Sequence, residues 1–440
     1  MTMPAAPSSR SPERDARHLS GGDRVEPGEI AVGVIIGRTS EFFDFFVYAI
    51  ASVLVFPQYV FPFAKPLEGT LLSFAMFAIA FVTRPIGTAL FTWIDIAYGR
   101  GSKLTIALFT LGCSTVALGF LPSYDDVGWW SIALLALLRA GQGLALGGAY
   151  DGLAALLALG APEGRRGWYA MIPQLGAPLG LIVASTLFLY FYLVLTPADF
   201  MGWGWRYPFF VAFAINVVAL FARLRIVVSA SYSRQFDAMA LEPTPVVDTL
   251  RAEGRTIFAG AFAPLASFAL FHTVTVFPLS WVILETQQTA TGFLIIEIVG
   301  AVVGVGAIVV SGLLADHIGR RRLLTILAGA IAAFSGFAPA LLNAGYLGES
   351  VFMIVGFTLL GLSFGQSAGA LASNFQLKYR YTGAAITSDL AWLFGAGFAP
   401  WVALTLASRF GLMAAGGYLL SGALCTIAAL AIVKPASADR

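Results

Sequence analysis

Charge is what this sequence has least of. Of its 440 residues only 11% are Asp, Glu, Lys or Arg, against about 25% in a soluble domain whose surface water must solvate. That shortage excludes soluble enzymes and disordered chains. A net charge of +2 offers no basic surface for tracking phosphates, so nucleic-acid binding is excluded too. Cysteine is nearly absent. Cys113 and Cys425 each stand inside an apolar run and read as small buried hydrophobes, so neither a disulfide nor a metal site is expected. A nucleotide-binding glycine loop, a metal-ligand cluster and a nucleophile-and-base constellation are all missing from the sequence. Primary pumping and membrane catalysis are therefore disfavoured, and no metal or other cofactor is expected.

What is present is apolar: 58% of the residues are hydrophobic, in long continuous runs rather than the alternating ten-residue strands of an outer-membrane barrel. The chain reads as an all-α membrane protein in a lipid bilayer. Twelve spans are expected at about 30–57, 69–91, 103–121, 131–160, 167–195, 207–228, 256–283, 290–314, 322–343, 350–375, 382–407 and 412–433. The layout predicts a disordered tail (1–29), a six-helix bundle (30–228), a polar inter-bundle loop (229–255), a second bundle (256–433) and a short tail (434–440). The first run is too long for a signal-peptide core and lacks a cleavage site, so it is expected to stay. With both termini placed in the cytoplasm, 20 of the 26 Lys and Arg fall on the cytoplasmic side. Lys65, Arg206 and Arg409 fall on the other, and Arg38, Arg84 and Arg139 lie inside spans. The positive-inside bias sets that orientation.

The two halves share an echo. After the second span the sequence reads GTALFTWIDIAYGRGSK, with Asp95, Gly99, Arg100 and Lys103. After the eighth it reads GLLADHIGRRR, with Gly312, Asp316, Gly319, Arg320 and Arg321. A duplicated element at equivalent helix junctions is the mark of parallel-repeat transporters. With its Asp-x-x-Gly-Arg-Arg signature at Asp316 to Arg321, the chain resembles the major facilitator superfamily.

More narrowly it is similar to the metabolite:proton symporter family. The matching residues are Glu41, Asp44 and Tyr48 in the first span, Arg84, Pro85 and Gly87 in the second, and Arg139, Gln142, Gly143, Gly147 and Gly148 in the fourth. Trp203 to Arg206 and Arg380 to Gly383 match further motifs. The resemblance covers about residues 30 to 405. It implies two pseudo-symmetric six-helix bundles rocking about a midplane site, with spans 1, 4, 7 and 10 lining a central cavity. It also implies that Asp95, Arg100, Asp316 and Arg320 form inter-helix charge relays stabilising an outward-open state, the other reading being solvated loop charges, with Gly319 and Arg321 as gating or structural residues beside them. The chain departs from the pattern in its first loop, longer by one residue between Asp95 and Gly99. It departs again at Arg38, Ala149 and Asp151, where the family usually has Asn, Glu and Gly.

Ionisable groups at bilayer depth cost roughly 2.5–3.5 kcal/mol each and face a cavity or a partner. Arg38, Glu41, Asp44 and Tyr48 fall within an arc of about 120° on the first span. The stripe reads as the lining of an aqueous path, or else as a salt-bridge lattice locking helices. Arg38 and Asp151 lie at similar depth and are expected to face each other as an ion pair, unless Asp151 simply ends its helix. Arg139 is placed to grip a substrate carboxylate bidentately. Asp44 is expected to pair with it when the site is empty and to take a proton when substrate displaces it. Alternatively Glu41 carries the proton and Arg139 is structural.

Arg38, Tyr48, Gln142, Asp151, Gln366 and Trp392 are further candidate substrate contacts, with Asn374, Glu297 and Asp389 behind them. Arg84 is expected to brace the loop containing Asp95. His272 reads as a packing histidine or a proton relay, and Gly176, Pro178 and Gly180 as a close-packing, bendable stretch of span five. The expected activity is proton-coupled import of a small organic acid by a monomer in the cell's inner membrane. A betaine symporter, a drug exporter and a transporter-like receptor are the alternatives.

Overall fold

The structure, a computed structural model, describes residues 27–239, 241–367 and 375–432. Apart from residues 27–29, the two expected tails lie outside the described residues, as does Asn374. Twelve long helical stretches follow one another: α1 Pro27–Leu54, α2 Pro66–Tyr98, α3 Arg100–Leu118, α4 Trp129–Leu159, α5 Arg166–Val194, α6 Gly204–Val227, α7 Leu265–Glu285, α8 Ala290–Ile318, α9 Arg320–Leu342, α10 Gly345–Phe364, α11 Leu377–Phe410 and α12 Met413–Ile432. All but α1 are long and apolar enough to cross a membrane by length and composition. The first has the length but carries Arg38, Glu41 and Asp44 at its middle. The expected inter-bundle loop is partly helical, at Ala230–Ala238 and in Val246–Phe262, which runs into α7.

The helices form two six-helix bundles that repeat one set of pairings. In the first bundle α2 packs on α4, α3 on α6 and α1 on α5 and α6; in the second, α8 packs on α10, α9 on α12 and α7 on α11 and α12. The bundles meet mainly along α5 against α8 and α2 against α11. The sequence echo is conserved in geometry. Gly99 joins α2 to α3 at φ +85° and Gly319 joins α8 to α9 at φ +83°, values that L side chains rarely adopt. The face at which these junctions lie is called the junction face below.

Close approach explains two further motifs. Gly143 and Gly147 on α4 lie directly against the α2 backbone at Ala80 and Arg84, where a Cβ would overlap it. That is small-residue packing of the kind lipid-embedded helices rely on. On α5, a Cβ at Gly176 would stand 2.6 Å from the carbonyl carbon of Arg38, and one at Gly180 would stand 2.7 Å from the amide nitrogen of Phe43. The expected close packing of α5 is therefore directed at α1 and fixes its height.

Large apolar side chains such as Ile86, Phe109, Leu137, Leu193 and Phe221 stand exposed on the bundle exterior. Unburied apolar surface on this scale suits hydrocarbon and not water. Inside, one continuous core runs through both bundles and is rich in Phe.

Candidate functional site

The polar stripe of α1 is enclosed by protein. Ser40, Glu41, Asp44 and Tyr48 are all less than 8% exposed. Its partner is α6, which presents Asn216 and Arg223 two turns apart on one face. Asn216 accepts from Ser40 Oγ at 2.5 Å and donates through Nδ2 to Asp44 Oδ2 at 2.5 Å. Arg223 donates from Nη1 to Glu41 Oε1 at 2.5 Å, from Nε to Asp151 Oδ2 at 2.8 Å, and from Nη2 to the Ala149 carbonyl at 2.5 Å. Arg38 completes the row, 2.6 Å from Glu41 Oε2.

The expected Arg38–Asp151 pair is therefore corrected: the two join only through Glu41 and Arg223. Asp151 lies where α4 breaks, between Gly148 and Leu153, and its Oδ1 also accepts from the Leu153 amide at 3.0 Å. Of the two readings of the stripe, the salt-bridge lattice holds for part of it, where Arg38 and Arg223 hold Glu41, while Asp44 Oδ1 and the Tyr48 hydroxyl have no hydrogen-bond partner. Arg223, which joins this row together, is a residue that the sequence reading counted among loop cations. Its signal was its position inside the sixth apolar run.

Arg139 on α4 is 2% exposed. It donates to Gln142 Oε1 at 2.7 Å and to the Phe77 carbonyl at 2.9 Å, and its Cζ stacks 3.8 Å from the Tyr48 ring centroid. Gln142 in turn donates to Thr115 Oγ1 at 2.8 Å. Among the described residues no carboxylate lies within ion-pair distance of Arg139, and its Nε has no partner. Asp44, one turn from Tyr48 on α1, likewise lacks a cation, and its Oδ1 makes no hydrogen bond. The expected empty-state pair of Asp44 with Arg139 is therefore not formed. Both groups are buried, and neither has an ion-pair partner among the described residues, an arrangement that is costly at bilayer depth.

The face of α1 turned toward the second bundle is aromatic. Phe42 lies 5.8 Å from Phe271 and 5.8 Å from Trp392, and Phe45 stacks on His272 at 4.9 Å. Phe77 and Phe81 of α2 and Phe364 of α10 close the group, with Trp392 of α11 at its centre. So the central space between bundles is a box of rings, and Trp392, one of the candidate substrate contacts, is part of it. An apolar cleft between Phe46, Phe271, Thr275 and Phe364 continues it toward α5 and α8.

On the junction face the bundles are tied together. Arg84 Nε meets Asp389 Oδ1 at 2.7 Å, and Thr88 donates to the other oxygen of Asp389. This replaces the expected contact of Arg84 with the Asp95 loop. Lys103 donates to Asp95 at 3.0 Å, to the Tyr150 carbonyl at 2.6 Å and to Tyr381 Oη at 2.6 Å. Asp316 accepts from the amides of Gly167 and Trp168 at 2.6 and 3.1 Å, and Gln366 donates to the Gly167 carbonyl at 3.1 Å. Gln366 thus belongs to this lock and not to the ring box. Arg100 makes no ion pair among the described residues. Its Cζ stacks 3.4 Å over Phe236 of the inter-bundle helix, so its expected charge relay is a cation–π contact. Arg320 and Arg321 open α9, and Arg321 donates to the Leu430 carbonyl of α12.

Residues 30–235 match the family model described as "Sugar (and other) transporter". The inner membrane metabolite transport protein YhjE of Escherichia coli is 38% identical, over 91% of this chain and 93% of that protein. The shikimate transporter of the same bacterium is 30% identical (92% and 94%), and a putative proline/betaine transporter of Staphylococcus haemolyticus is 29% identical (93% and 87%). Among solved structures, the crystal structure of a D-xylose-proton symporter superposes with a TM-score of 0.71 at 17% identity, covering 93% of this chain and 98% of that one. That likeness bears on the fold.

Proposed function

The chain belongs to the metabolite transporters of the major facilitator superfamily, and we propose that it imports a small organic acid together with a proton. It is a multi-pass membrane transporter and not an enzyme. The observation that carries the finer reading is the unpaired couple of Arg139 and Asp44. A carboxylate substrate supplies the anion that Arg139 lacks, held in the fork of a guanidinium already braced by Gln142 and the Phe77 carbonyl. A proton on the free oxygen of Asp44 removes the negative charge that competes for Arg139. Proton and acid then bind together and leave together, which is symport. Glu41 is tied on both oxygens by Arg38 and Arg223, so we assign the proton to Asp44.

The junction face is the cytoplasmic one in this reading, with both termini inside, as the excess of Lys and Arg there supports. The locked contacts of Lys103, Asp316 and Asp389 then close the path to the cytoplasm, and the transporter rocks open toward the other side to load. The membrane is the plasma membrane, in keeping with the name of the YhjE relative.

A betaine is the second reading, because rings attract quaternary ammonium groups. Against it, Arg38 lies 4.9 Å from the Phe42 ring and Arg84 lies 6.0 Å from that of Trp392, so cations already edge the box. Proteoliposome uptake under an imposed proton gradient separates the two. Accumulation of organic acids, with betaines excluded, is expected. Betaine accumulation overturns the substrate class, uptake blind to the gradient overturns coupling, and acid binding without accumulation marks a receptor.

A further inference from the structure

We infer that His272 reads a hydroxyl group on the transported acid, so that the substrates are hydroxylated carboxylates. This inference rests on the preceding reading of Arg139 as the carboxylate site and extends it to the substrate's other end. His272 stands on α7 and is wholly buried. A neutral imidazole carries one donor and one acceptor, yet neither ring nitrogen has a hydrogen-bond partner. Buried polar groups almost always have one, so an exception points to a partner that comes and goes.

The surroundings narrow what that partner is. His272 is walled by Phe45 at 4.9 Å, Phe271 at 5.0 Å, Phe77 at 5.4 Å, Phe81 at 5.9 Å and Trp392 at 6.2 Å between ring centroids. A trapped water needs about two to four polar partners, and phenyl rings supply none. A packing role needs no nitrogen either, since a phenyl ring fills the same space without orphaned polar atoms. An imidazole kept there serves a group that brings its own donor or acceptor into the box.

Phe77 links this point to the anion site. Its ring lies 5.4 Å from the His272 ring and also 5.4 Å from Arg139 Cζ, and its carbonyl accepts from Arg139. Arg139 and His272 are therefore no farther apart than twice that distance. One small molecule can present a carboxylate to the first bundle and a hydroxyl to the second. The site then responds to both bundles at once, as a transporter that rocks about its substrate requires.

The test is uptake into liposomes of the purified protein, using matched acids that differ by one hydroxyl: lactate with propionate, malate with succinate. Wild type is expected to favour the hydroxylated member at least about tenfold, because a buried polar group left unpaired rejects the analogue lacking its partner. His272→Phe should bring the ratio within about threefold while uptake of the plain acid persists, and His272→Gln should keep part of the preference. A structural histidine would lower both members equally and leave the ratio alone. An unchanged ratio in both variants, or no preference in wild type, overturns this inference while acid transport stands. Absence of any acid uptake by wild type overturns the Arg139 reading as well.

Discussion

Arg223 Nη1 lies 2.5 Å from Glu41 Oε1, and the same guanidinium holds Asp151 at 2.7 Å. With Arg38 on the far side of Glu41, four alternating charges run from α1 through α6 to the break in α4 and sum to zero. Inside a membrane protein such a row is stable only when whole, because each member removed strands another.

Arg223→Met should therefore strand Asp151 and cost about 3–5 kcal/mol. It should read as a sharp fall in melting temperature and in the yield of monodisperse protein. Glu41 keeps Arg38, so adding Asp151→Asn should restore at least half of the loss. A double variant less stable than Arg223→Met alone would show that the pairing is not what holds α6 against α4.

Arg139 should behave in the opposite way. It has no counter-charge to strand, so Arg139→Gln should leave the melting temperature unchanged or raise it, while acid uptake falls by about a hundredfold or more. Arg139→Lys keeps the charge but loses the two-pronged grip, and should recover only a small part. A variant that melts early and transports in proportion to its folded fraction would reduce Arg139 to a structural role.

How much of this the sequence disclosed depends on the kind of signal. The spans were legible because they are long apolar runs that a few charges, such as Arg38, Glu41 and Asp44 in the first, do not break up. The twofold repeat was legible because Gly99 and Gly319 need the same rare backbone angle. Periodicity put Arg38, Glu41, Asp44 and Tyr48 on one face. What it does not encode is the neighbour that face meets, which is Asn216 and Arg223 of α6. Asn216 is a single amide in a helix of Phe, Val and Ala and gives no periodic signal. Arg223 was hidden by its closeness to Arg225, where a loop count absorbed both. Long-range partners such as Asp389 for Arg84, 305 positions away, lie beyond any local pattern.

Asp44→Asn should separate coupling from binding. The amide keeps a hydrogen-bonding group against Asn216 but takes no proton. Accumulation against a gradient should be lost, while exchange of labelled for unlabelled acid across the membrane continues at within about threefold of the wild-type rate. Glu41→Gln should instead lose folded protein, since it breaks the four-charge row. If Asp44→Asn still accumulates acid with an applied proton gradient, the proton travels elsewhere.

The Arg84–Asp389 contact is the deepest of the junction-face ties, joining α2 to α11 one turn below Trp392. Its removal should shift the balance of conformations toward opening on that face. The shift follows from the proposed rocking, in which α2 and α11 part on this face and the contact favours the closed state. Asp389→Asn keeps the shape and Thr88 within reach but withdraws the charge. Ser311, buried on α8 beside Gln366, reports the opening once replaced by cysteine in a protein whose Cys113 and Cys425 are serine. A water-soluble maleimide should label Ser311→Cys on the order of tenfold faster when Asp389→Asn is added, as a coupling of 1–3 kcal/mol dictates. Substrate that draws the bundles shut should slow it again. Equal labelling with and without the aspartate would mean that Lys103 and Asp316 hold the face closed unaided, and that Arg84 serves the ring box above it.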